Sequence, residues 1–206
     1  KHLKTLGLAA LAALALTAFA GASSASATEF HATGGTALNG VQVNPLVLTN
    51  TGQSLTCNTV VVSGSSAASG TSERTRVHPA VSNCTAFEIS GAAVNLDGCE
   101  YELNANTNTL VLINCTNGRI TVKVSTIFGN CDLDVPNQNG INNQTFINMG
   151  NTGSNTATLT WEANANNITA EVTESNGICP LTVGHHNNAT LTGLVGIMGA
   201  TGGTSF

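Results

Sequence analysis

Residues 84–115, CTAFEISGAAVNLDGCEYELNANTNTLVLINC, hold three of the six cysteines and the clearest strand-turn-strand signal in the chain. From Cys99 the residues alternate: Cys99, Tyr101 and Leu103 fall on one face, Glu100, Glu102 and Asn104 on the other, the period of a half-buried strand. Asn106-Thr107-Asn108 interrupts the alternation. Asparagine tolerates left-handed backbone angles and bonds to its own main chain, so a short hairpin loop is expected there, with residues 110–113 as the returning strand. A loop centred on Thr107 sets Leu103 opposite Val111, Tyr101 opposite Ile113 and Cys99 opposite Cys115. Opposed residues of an antiparallel pair lie about 4.5–5.5 Å apart at Cα, within reach of a disulfide. Register and cross-link therefore agree.

Ahead of this stretch, the N-terminus reads as an export signal. Lys1 and Lys4 are its basic region, residues 6–19 its Ala/Leu-rich apolar run, and Ala25-Ser26-Ala27 its cleavage site, with the cut before Thr28. The apolar run is too short to be preferred as a membrane anchor, and no second candidate follows, so no membrane span is expected after cleavage. Removing 27 of the 206 residues leaves 179, enough for one domain with a core. The remainder divides into a flexible start over residues 28–40, a single domain over 41–199 and a flexible, glycine-rich tail over 200–206.

After Thr28 the basic residues are Arg74, Arg76, Arg119 and Lys123, against eleven Asp and Glu, a formal charge of −7. That balance excludes nucleic acid and anionic lipid as natural partners. With 8% of the chain charged, its polar surface must be Thr, Ser, Asn and Gly. The 41% hydrophobic content and the recurring Val, Ile and Leu strands argue against disorder.

An even number of cysteines behind an export signal implies a disulfide framework and a secreted, extracellular protein. Six cysteines allow fifteen pairings. The expectation is the sequential set, Cys57 with Cys84, Cys99 with Cys115 and Cys131 with Cys179. No C-x-x-C pair supports a zinc site instead.

Along the chain, residues 41–49 and 53–62 flank the turn signal Asn50-Thr51-Gly52. Asn117-Gly118 precedes a clean alternation of Ile120, Val122 and Val124 against Arg119, Thr121, Lys123 and Ser125. Residues 156–163 and 168–173 also alternate and read as a second hairpin turning at residues 164–167. No helical period occurs after the leader. Short strands with regular turn signals predict an all-β fold, an antiparallel β-sandwich of roughly ten to twelve short strands held by disulfides.

The cysteine contexts L-x-C (55–57), N-C-T-A-F (83–87), D-G-C-x-Y (97–101), the lone Cys115, G-x-C-x-x-x-V (129–135) and C-P (179–180) resemble a group of secreted six-cysteine proteins of soil actinobacteria. The likeness covers nearly all of the chain after the leader. It implies a secreted all-β domain with this disulfide pattern, and no activity or catalytic residue. Asn114-Cys115-Thr116 departs from an expected C-P, and Glu88 stands where Gly is expected.

Each candidate site has a plainer explanation beside it. Asp132 and Asp134 share a strand face and, with Asn137, Asn139 and Gly140 nearby, could offer oxygens to Ca²⁺, yet paired acids near a loop are usually solvated. Glu100 and Glu102 are spaced like a glycosidase acid pair, yet alternating acids also keep a strand soluble and protect its edge. His78 and His185-His186 are possible bases or ligands, but no motif sets a nucleophile or acid beside them. Trp161 and Tyr101 could stack on a sugar but sit at inward positions. No catalytic residue, metal or cofactor is assigned. The expected function is a non-catalytic structural or adhesive protein, secreted or associated with the cell envelope, whose partner would be cell-wall or extracellular polysaccharide. A carbohydrate-binding sandwich module and an extracellular hydrolase are the alternatives.

Overall fold

The computed structural model describes residues 29–32, 37–65, 70–148 and 158–199. The expected leader, 1–27, and the expected tail, 200–206, lie outside them. Among the described residues the chain forms fourteen strands and no helix: β1 (Phe30–Ala32), β2 (Ala37–Asn50), β3 (Gln53–Ser65), β4 (Gly70–Ser72), β5 (Arg74–Ala86), β6 (Ile89–Asn95), β7 (Glu100–Asn104), β8 (Thr109–Ile113), β9 (Arg119–Thr126), β10 (Gly129–Pro136), β11 (Gln138–Ile141), β12 (Thr145–Asn148), β13 (Thr158–Ser175) and β14 (Gly184–Gly199).

The expected sandwich is wrong. Strands β2, β3, β5, β6, β9, β10, β13 and β14 pair in that order, all antiparallel, and β14 pairs back onto β2 from Thr190 opposite Thr49 to Gly199 opposite Leu38. The sheet closes into an eight-stranded barrel. Alternating strands with one apolar face serve a sandwich and a barrel equally well; the architectures differ in whether the first and last strands meet. That contact joins opposite ends of the chain, and strand alternation does not reveal it.

Strands β7, β8, β11 and β12 lie outside this circuit but use the same edges. On the side of β5 away from β3, Cys84–Ala86 pair with β6 while Arg74–Val77 pair with β7. Strand β6 pairs with β9 as β7 pairs with β8, and β9 pairs with β10 as β8 pairs with β11. Three columns of the wall are thus each made of two short strands, joined through residues 96–99, 114–118 and Asn137. The other five strands, β2, β3, β5, β13 and β14, run 13 to 18 residues each.

Two local expectations are corrected here. In the β7–β8 hairpin Leu103 faces Leu110 and Tyr101 faces Leu112, one residue away from the expected register. The loop is four residues long, with Asn108 at φ 52° and Asn104 Oδ1 accepting from the Thr107 N–H. A slip of one residue turns a strand over, so Leu110 and Leu112 are buried where Val111 and Ile113 were expected. Asn114, at φ 56°, restores the alignment and brings Cys115 to Cys99. The second correction concerns residues 164–167, which do not turn. Strand β13 runs through them with a bulge between Ala165 and Ile168, where Asn167 takes a left-handed φ of 57°.

The inner faces form one apolar core. At the end where β13 begins and β14 finishes, here the near pole, Trp161, Phe146, Leu38, Leu159 and Ile197 are fully buried. The ring of Phe30, on β1 beside β4, packs edge-on against Phe146 with centroids 5.5 Å apart. Toward the opposite, far pole the lining is aliphatic and less tightly filled.

Candidate functional site

The three broken columns align into a seam across one side of the barrel. Two of them break at residues that favour left-handed backbone, Asp97 and Gly98 in one and Asn114 and Gly118 in the next, all with positive φ, and the third breaks at Asn137, after Pro136. The freed main-chain groups are satisfied within the seam. Thr116 N–H donates to Asp97 O at 2.8 Å, Asn117 N–H to the Asp97 carboxylate at 2.7 Å, and Asn137 N–H to Gly118 O at 2.8 Å. The Cys99–Cys115 disulfide crosses it, Cα to Cα 3.9 Å. Cys57–Cys84 links β3 to β5 at 4.1 Å, and Cys131–Cys179 ties β10 to the segment after β13 at 4.9 Å. Three disulfides are consistent with an extracellular, oxidising setting.

One β11 side chain extends the seam to β13. Gln138 donates from Nε2 to Thr169 O at 3.1 Å and accepts from Thr169 N–H at Oε1 at 3.0 Å. The primary amide stands in for a peptide group of the missing ladder. Nothing in the sequence around Gln138 distinguishes it from a surface glutamine.

Behind the seam lies a cavity of about 70 Å³. Leu46, Leu48 and Leu55 form one side of it, Val94, Leu96 and Ile120 flank the seam, and Tyr101 lies toward the near pole. Every lining side chain is aliphatic except Cys57, which is in a disulfide, and Tyr101. The Tyr101 ring meets Trp161 edge-on at 6.0 Å, and burial pushes the phenol pKa up to about 12. Trp161 Nε1 donates to Gln144 Oε1 at 2.9 Å, and Gln144 Nε2 donates to Asn142 O at 3.0 Å, so the indole is satisfied. The Tyr101 hydroxyl has no hydrogen bond among the described residues.

The acids and histidines singled out from sequence lie on the outer face. Glu102 receives Arg74 Nη1 at 2.9 Å and Arg76 Nε at 3.0 Å, while Glu100 receives Asn114 Nδ2 at 2.9 Å with Arg76 and His78 farther off. On β9 and β10, Arg119 meets Asp134 and Lys123 meets Asp132, both at 2.8 Å. The hydrogen bond and charge of Asp132 raise the Lys123 pKa above its ordinary value. His185 lies 3.8 Å from Glu171, and His186 Nε2 is 2.9 Å from Thr182 O. His78 on β5 is separated from both by β3 and β2, so the three histidines do not converge. Among the described residues, no three His, Cys, Asp or Glu side chains are grouped as metal ligands.

Trp161 and Tyr101, 1% and 7% exposed, belong to the core and offer no sugar platform. Among the described residues the exposed aromatic ring is instead Phe128, 75% exposed beside Ile127 at the β9–β10 turn. That turn packs main chain against main chain on the segment after β13, where a Cβ on Gly129 or Gly177 would overlap backbone atoms.

The chain matches no protein-family model, no curated protein and no solved structure. Fold and site define a class on their own terms: a disulfide-linked, antiparallel eight-stranded barrel with an apolar interior. Of the resemblance to six-cysteine secreted proteins, the disulfide scaffold is what the structure supports.

Proposed function

We propose that the protein works outside the cell or at its envelope as a non-catalytic structural or adhesive protein, presenting a Thr- and Asn-rich surface to wall or extracellular polysaccharide. One observation carries this reading: the acids best placed for acid–base chemistry, Glu102, Asp132 and Asp134, are each held by a cation on the outer face, while the concave interior is aliphatic. A hydrolase needs a proton donor and acceptor converging on a concave site. The export signal and the likeness of the cysteine contexts support the compartment. Sugar recognition by stacking loses its basis with Trp161 and Tyr101 in the core, so contact with a polymer would run through hydroxyls and amides.

The test is co-sedimentation of the purified protein with peptidoglycan sacculi and with insoluble polysaccharides, together with an assay for soluble fragments. Retention that persists at raised salt, with no fragment release, is the expected result, since screening weakens charge attraction but not neutral hydrogen bonds. Fragment release abolished by Glu102→Gln or Asp134→Asn would overturn it.

A further inference from the structure

We propose that the cavity behind the seam binds the end of a slim, unbranched hydrocarbon chain carrying one hydrogen-bond acceptor, which the Tyr101 hydroxyl donates to. This goes beyond the structural role above and does not depend on it.

Size selects the shape of the ligand. At about 70 Å³ the cavity is less than half the roughly 150 Å³ that admits benzene or xenon in an engineered apolar cavity. A ring or branched skeleton does not fit, whereas an alkyl chain can thread between the side chains. The lining selects the chemistry. Leu46, Leu55, Val122 and Leu112 offer hydrocarbon alone, and an apolar hollow of this kind does not hold water well. Tyr101 supplies the exception. A buried phenol usually finds a partner, and this one has none among the described residues, so an acceptor on the chain, such as an alcohol, ether or carbonyl oxygen, completes it. Access follows from exposure: Leu46, Leu48, Val81, Val94 and Leu96 line the cavity while keeping partial contact with solvent. The near half of the lumen, filled by Trp161 and Phe146, sets the depth at which a chain must stop.

Trp161 is the single tryptophan of the chain and touches Tyr101, so its emission reports on the site. The full-length protein is titrated with straight 1-alkanols from ethanol to octanol and with n-octane, and stoichiometry is read by native mass spectrometry. Saturable one-to-one binding is expected, rising about fourfold per methylene until the cavity is full and then levelling. Tyr101→Phe should weaken 1-octanol about fivefold and leave n-octane unchanged. Val122→Phe fills the cavity and should abolish binding of both; Leu55→Phe, nearer the solvent side, serves if the first variant does not fold. Absence of saturable binding, affinity that climbs without levelling, or full binding by a folded cavity-filling variant overturns the proposal. Equal loss of octanol and octane in Tyr101→Phe overturns the assignment of the hydroxyl.

Discussion

The two sides of the barrel are built from similar residues and are continuous in different ways. In the long-strand wall of β13, β14, β2, β3 and β5, Asn-rich interruptions become bulges and the ladders run on. The opposite wall is cut in three columns at one level, and what joins the pieces is a disulfide, a few main-chain bonds and one glutamine side chain. Asn164 to Asn167 and Asn114 to Gly118 carry much the same turn chemistry, yet only the second segment breaks a strand. Residues on both sides of 164–167 pair with the long strand β14, which spans the interruption. Residues 114–118 have as neighbours two other columns that break at the same level. A turn signal is therefore obeyed or overruled according to what its neighbouring strand does.

The largest test of this contrast exchanges disulfides. By loop-closure entropy, Cys57→Ser/Cys84→Ser in the long-strand wall, with a separation of 27, should cost about 3.5 kcal/mol. Cys99→Ser/Cys115→Ser across the seam, with a separation of 16, should cost about 3 kcal/mol on the same argument. Because the seam has less ladder to fall back on, urea unfolding should show a loss there at least equal to that in the wall. A clearly smaller loss would mean that the hydrogen bonds around Asp97 hold the seam unaided.

Next in size is alkaline titration of Tyr101, the single tyrosine. Its folded pKa of about 12 lies above the ordinary 10.0, so the buried neutral phenol contributes stability in full below pH 10. That contribution, about 3 kcal/mol by the size of the shift, is lost as pH rises from 10 to 12. Absorbance at the tyrosinate band should show the high midpoint in the folded protein and the ordinary one in urea, and Tyr101→Phe should flatten this part of the stability profile.

A smaller effect sharpens the seam itself. Gln138→Ala removes three hydrogen bonds, two to Thr169 and one to Pro136 O, and strands the Thr169 peptide groups, at a cost of about 1–3 kcal/mol. Amide exchange should quicken at Thr169 while the β13–β14 ladder stays protected; uniform quickening along β13 would show that Gln138 supports the whole barrel instead. Least of all, Lys123→Met should leave the urea midpoint unchanged within error, because the pair with Asp132 is solvent-exposed.

Much of this was legible in the residues. Alternation and turn chemistry identify an all-β chain, the Asn50-Thr51-Gly52 turn joins β2 to β3 as expected, and the cysteines form disulfides. Glu100 and Asp132 keep contact with solvent as expected, whereas Glu102 and Asp134 are buried beneath the arginines that pair with them. Barrel closure was not legible, since the pairing of Leu38 with Gly199 has no local signature. The register of β7 against β8 depends on whether Ala105 joins the loop, a choice that two asparagines and a buried methyl settle only in three dimensions. The cavity was hidden for a related reason. Each lining residue reads as ordinary core, and a hollow exists only in how fourteen aliphatic side chains fail to meet.

The pairing of β2 with β14 also governs where the molecule can be tethered. Leu38 and Gly199 are neighbours across that ladder, so the first and last strands of the barrel leave it side by side at the near pole. Peptide attached before β2 or after β14 hangs from one patch, and the Thr51-Gly52 turn and the Phe128 tip face the other way. The same adjacency makes the barrel a candidate for circular permutation, with a short linker joining residues 199 and 37 and new ends opened at Thr51-Gly52.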